Sequence, residues 1–196
     1  MKKILTITTT TRLMTMVFIF ILYSCSKLNE QQPACTNKDR WDVKTLSDQN
    51  GATVNFNSEL ISISNLISIP ETAVVKADSP RFGIEFKTYT INCHIREYKL
   101  STDGDYHLVL QDLADPSITM IGEIPDPYCE TVKQSIRFNQ ITQARTDFKN
   151  SLLVTGQVDT SIYTITGIAF YDKVHGQLGA APNAIEIHPI LSIIKH

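Results

Sequence analysis

The chain has 196 residues, 42% of them hydrophobic and 19% charged, with 18 Lys and Arg against 20 Asp and Glu. That is one domain's worth of sequence, long enough to close a core. Eight Gly and eight Pro exclude collagenous and low-complexity chains, and the lack of a recurring unit of roughly 20–50 residues excludes solenoids and propellers.

The first 25 residues read as an export signal. Lys2, Lys3 and Arg12 flank a mostly apolar run from Leu13 to Leu22, too short to span a bilayer comfortably as a helix. The run ends in Leu22-Tyr23-Ser24-Cys25, which resembles the lipobox of bacterial lipoprotein signal peptides. The resemblance implies cleavage before Cys25, with acyl chains such as palmitate carried on that cysteine. At about 0.8 kcal/mol per buried methylene, several such chains hold a domain at a membrane without a transmembrane helix. An ordinary signal peptide with a chance cysteine is the plainer alternative. Residues 1–24 are thus expected to be the signal peptide, and 25–34, polar with one Pro, a tether. The expected address is the bacterial cell envelope, at the outer membrane.

Without residues 1–24, 15 basic residues face 20 acidic ones, near −5. An acidic domain with no Lys/Arg cluster is a poor tracker of phosphate backbones, so nucleic acid is not an expected partner. Cys35, Cys93 and Cys129 remain, and an exported chain can pair them. Cys93 alternates with Ile91 and Ile95 and reads as a buried thiol. Cys35 and Cys129 both lie in Pro-containing, loop-like surroundings and are the favoured pair, although spacing alone leaves the other pairings open.

Residues 35–80 read as an N-terminal extension packed on the main domain, since some 45 residues bury little core alone. They carry Trp41. Within 57–70 the spacing of Leu60, Ile63 and Ile67 suits a helical turn, and that of Ile61, Ile63, Ile67 and Ile69 a strand. From 81 onward the pattern is plain. Residues 84–100 form a long strand; Asp103-Gly104 is a hairpin turn. Strands over 105–111 and 117–124 follow. Residues 131–149 hold no Gly or Pro and place Val132, Ile136, Ile141, Ala144 and Phe148 on one stripe, which predicts an amphipathic helix. Strands resume at 152–158, 161–171 and 184–194.

Three strands, a helix and further strands, opened by an unusually long strand, is the order of an OB-fold. The expected architecture is mainly β: a five-stranded Greek-key barrel over 81–196 with its helix between strands three and four. A small β-sandwich is the alternative.

Four phrases extend over most of the chain beyond the tether: Arg40 to Asp48 (RWDVKTLSD), Asp103 to Leu110 (DGDYHLVL), Glu123 to Pro127 (EIPDP) followed by Cys129, and His175-Gly176-Gln177 through Ala181-Pro182-Asn183 to Glu186-Ile187-His188-Pro189. They resemble an uncharacterised family of bacterial exported proteins. The resemblance implies export and no particular activity.

Two candidate sites follow from the residues. Asp103, Asp105 and His107 stand together at the turn into the second strand, and Asp105 and His107 share a face, a spacing that suits acid/base or metal chemistry. Turn chemistry explains Asp-Gly-Asp better, and His107 on a half-exposed strand reads as a surface residue. The loop Asp172 to Asn183 is longer than closure requires, and in OB-folds this connection flanks the ligand face. Asp103, Asp105, His107, His175, Gln177 and Asn183 are therefore the expected ligand-binding set at one rim. Asp105, His107, Glu186 and His188 form an alternative oxygen/nitrogen metal set, weakened because strand three separates strands two and five. No nucleophile elbow, phosphate-cradling loop or CxxC pair is present, and no cofactor is expected. The reading that follows is a non-enzymatic, lipid-anchored binding or structural module whose partner is a small ligand, a glycan or a protein. Its alternative is a metal-dependent, nuclease-like hydrolase.

Overall fold

A computed structural model of the chain describes Cys35 and residues 39–70, 75–153, 160–173 and 176–196. Cys25, the tether and His175 lie outside them. The fold is a closed five-stranded barrel of the OB type. Its strands are β2 (Lys87–Leu100), β3 (Tyr106–Asp112), β4 (Thr119–Ile124), β5 (Tyr163–Tyr171) and β6 (Ile185–Lys195). β2 pairs antiparallel with β3 through residues 93–100 and with β5 through 88–93, so one long strand serves both halves of the wall. β4 and β6 pair in parallel and close the ring through β5.

Alternation sends Ile91, Cys93, Ile95, Leu108, Leu110, Met120, Ile165 and Ile187 into the interior, all fully buried. The approach is close enough at Gly167 that a Cβ would overlap the Ile187 side chain and the Pro189 carbonyl. One end is plugged by α4 (Phe138–Phe148), which contributes Ala144 and Phe148.

The extension wraps the outside. α1 (Trp41–Lys44) is a single turn, β1 (Asn55–Leu60) adds in parallel to β2, and α2 (Ile63–Ile67) buries Ile63 and Leu66 against the core. The ambiguous stretch is thus both things in turn: strand, then helix capped by Ser62, whose hydroxyl accepts from the Asn65 N–H at 3.2 Å.

Three expected elements are corrected. The helix over 131–149 is two, α3 (Glu130–Lys133) and α4, because the chain breaks at Ser135 and the Ile136 N–H donates to Leu46 O in the extension. Ile136 is consequently exposed rather than part of the buried stripe. The strand expected from 152 begins instead as a wide helical turn, Lys149–Leu153; residues 154–159 lie outside the description. The strand expected from 84 starts at Lys87, after the 3₁₀ turn Gly83–Phe86.

Candidate functional site

The chemistry-bearing side chains gather on the outer wall of the barrel, over β3, β4 and β6. The register puts them there. Tyr106 and Leu108 point inward, so His107 points out, directly opposite Glu123 on β4. Ile185 and Ile187 point inward on β6, so Glu186 and His188 also point out. Strand three does not keep strands two and five apart. Its own Glu123 bridges them.

His107 Nδ1 lies 2.7 Å from Glu123 Oε1, and His188 Nδ1 lies 3.2 Å from Glu123 Oε2. The same His188 nitrogen is 3.5 Å from Glu186 Oε1, while His188 Nε2 is 3.5 Å from Asp105 Oδ2. The other Asp105 oxygen accepts the Asp126 N–H at 3.1 Å. Lys44 reaches in from the extension, 3.2 Å from Asp172 and 3.9 Å from Glu186.

A roof covers the cluster. Trp41 stands edge-on to His188, with ring centroids 6.4 Å apart, and donates its indole N–H to Thr131 Oγ1 at 2.6 Å. Phe170 also packs against the imidazole, with ring centroids 5.9 Å apart. Asp105 and His188 are 0% exposed. The expectation of a half-exposed His107 is corrected: it is 4% exposed.

The roof is fastened at several points. Cys35 and Cys129 form a disulfide, joining the start of the extension to the entrance of α3. Arg40 is buried against Glu85, with Nη1 donating to Oε1 at 2.8 Å and its other guanidinium nitrogens reaching Ser79 O and Pro80 O. Arg81 donates to Asp48 and to Val43 O. Every donor of these two guanidiniums that is pointed inward meets an oxygen, as burial of a charge requires.

Burial and neighbouring charge shift the ionisable groups in opposite directions. Burial pushes Asp105 up to about 6, against the pull of His188. Burial and the Glu123 charge push Glu186 up to about 7. For Glu123 burial works upward, but the His107 hydrogen bond and the charges of His188 and Lys44 outweigh it and hold the carboxyl at about 2. Burial opposes charge on His188 as well; Asp105, Glu186 and Glu123 overcome it and raise the ring to about 9. Lys44 is raised in the same way, by Glu186, Glu123 and Asp172 against burial.

The expected rim residues divide. Asp103 accepts the Asp105 N–H at 3.2 Å, a turn bond, while Asp105 and His107 enter the buried cluster. Asn183 is built into the fold: its amide donates to Ile69 O at 2.9 Å and accepts from the Ile185 N–H at 3.2 Å. Gln177 is half-buried in the loop. That loop lies over β3, close enough that a Cβ on Gly179 would stand 2.6 Å from Val109, and its φ of 85° also favours Gly.

Three members of the cluster escape sequence reasoning. Glu123 is signalled by its outward parity on the third strand, opposite His107 once the hairpin register is known. Lys44 and Asp172 carry no local signal, since one arrives from the extension and the other from a loop. Against known proteins, no family model, no curated sequence and no solved structure matches this chain.

Proposed function

We propose that this chain is a lipid-anchored, non-catalytic module of the bacterial cell envelope, held at the outer membrane through Cys25 and offering its barrel to a small ligand, a glycan or a protein partner. The anchor rests on the lipobox-like Leu22-Tyr23-Ser24-Cys25 after a short apolar run. Its four phrases resembling exported proteins agree with that address.

The observation that supports a non-catalytic role is the roof. Catalytic groups need contact with substrate, yet Asp105 and His188 are 0% exposed beneath Trp41 and Phe170. The extension thereby occupies part of the outer wall that OB barrels commonly use for ligands. This leaves residues 176–183, with Leu178 69% exposed, as the side of the barrel offered to a partner. A metal-dependent hydrolase has the gathered carboxylates and histidines in its favour, but it requires Trp41 to lift.

Palmitate labelling of cells expressing the full chain, wild type against Cys25→Ala, tests the anchor. The expected result is labelled, membrane-bound wild type and an unlabelled variant; equal labelling of both overturns it. Assay of the purified protein on phosphodiester and ester substrates tests the rest. Hydrolysis that His188→Gln abolishes would establish the enzyme instead.

A further inference from the structure

The polar cluster under the roof is incompletely satisfied. Among the described residues, five buried side-chain nitrogen or oxygen atoms have no hydrogen-bond partner, and four belong to this cluster: Asp105 Oδ2, Glu186 Oε1, and both nitrogens of His188. His188 Nε2 faces Asp105 Oδ2 and His188 Nδ1 faces Glu186 Oε1, each at 3.5 Å, without the alignment that an N–H···O bond needs. Leaving four such atoms unpaired together is costly. Charge is uneven too. Among the described residues, the carboxyls of Asp105, Glu123, Glu186 and Asp172 outnumber the cationic groups that meet them here, Lys44 and the rings of His188 and His107.

Asp105, Glu123 and His188 each place one ligand atom within 4.8 Å of the others. Ligand bonds to a small divalent ion run about 2.0–2.2 Å, so this triangle closes on one ion with movements of under about 1 Å per side chain. With Nε2 on the ion, Nδ1 faces Glu186 Oε1 at 3.5 Å, a carboxylate outside the ligand set. That is the arrangement that fixes a metal-bound ring in place. His107, hydrogen-bonded to the far oxygen of Glu123, orients that carboxylate in turn.

We propose that Asp105, Glu123 and His188 bind one divalent cation of the zinc or manganese type, which fixes the extension to the barrel. One imidazole with two carboxylates is a mixed donor set suited to such ions. The ion is structural: it enters as the chain folds and is sealed beneath Trp41. It joins the turn into β3 directly to β4 and β6, and it supports the extension through the His188 ring on which Trp41 rests. The inference is independent of the lipid anchor.

The full chain, unfolded in urea with chelator, is refolded without metal, with Zn²⁺, with Mn²⁺ and with Co²⁺, and then passed through gel filtration. Elemental analysis is expected to find one ion per chain with Zn²⁺ or Mn²⁺, and a melting temperature above that of the metal-free protein. Asp105→Asn and Glu123→Gln are each expected to weaken binding by at least about tenfold, while Glu130→Gln, on the exposed face of α3, leaves it unchanged. Trp41 is the only tryptophan, so Co²⁺ in this site quenches its emission. The location is thus readable even where a variant fails to fold. Less than about a tenth of an ion per wild-type chain, unquenched Trp41 emission with Co²⁺, or full binding in both folded variants overturns the site.

Discussion

Trp41 and His188 are 147 positions apart in sequence yet stand ring edge to ring face, 6.4 Å between centroids at 83°. That contact joins the helical turn α1 of the extension to the last strand of the barrel, and turns a row of outward-facing acids and imidazoles into an interior. Trp41→Ala is expected to cost about 3–5 kcal/mol, as large aromatic deletions in packed sites do. Trp41→Phe, which keeps an aromatic ring but removes the donor to Thr131 and part of the ring volume, is expected to cost less, about 1–3 kcal/mol. Urea unfolding of the two variants checks this; equal, small losses would mean that the indole is not a packed member of the wall.

The disulfide closes a long loop, with 94 positions between Cys35 and Cys129. Cys35→Ser with Cys129→Ser is expected to lower stability by about 2–5 kcal/mol, chiefly by freeing the unfolded chain. The folded variant should still bury Trp41, because Arg40 and Arg81 continue to hold the extension. Chemical denaturation followed by Trp41 emission reads both quantities. A native emission shifted to that of exposed indole would show that the disulfide alone keeps the roof in place.

Asn183 and Leu178 separate framework from free surface within one loop. Asn183→Ala strips partners from Ile69 O and the Ile185 N–H, and about 1–3 kcal/mol should be lost. Leu178→Ala, at a site 69% exposed, should change stability by no more than about 0.5 kcal/mol. Thermal melts that show Asn183→Ala to be silent would return that residue to the pool of ligand contacts.

Cys93 is a buried free thiol, pushed up to about 12 by burial and by the Asp112 charge. Thiolate is the reactive form, so iodoacetamide should leave Cys93 unmodified in the native protein and alkylate it once urea unfolds the chain. Peptide mapping at matched pH makes the comparison. Native labelling at the unfolded rate would contradict the interior placement of β2.

The barrel was legible because its signals are local. Alternation fixes strands, Asp103-Gly104 fixes a turn, and the order of elements then selects the topology. Outward parity likewise put Asp105 with His107, and Glu186 with His188. What local signals omit is what lies on the other side. The run Tyr106 to Leu110 is buried on both faces, one by the core and the other, at Val109, by the loop at Gly179. So His107 reads from sequence as a surface residue and is an interior one. The break in the helix over 131–149 has the same origin: no residue between Thr131 and Lys149 is a breaker, and the cause is the Ile136 N–H bonding to Leu46 O, about ninety positions upstream.

The central claim is that the carboxylate–histidine cluster is an internal feature sealed by the extension. Carbethoxylation of histidines in the native full-length protein, read residue by residue by mass spectrometry, tests it most directly. His196, exposed at the end of β6, should react readily, while His188 and His107 should stay unmodified until the chain unfolds. Modification of His188 at the rate of His196 would show the roof to be open and the site accessible to substrate.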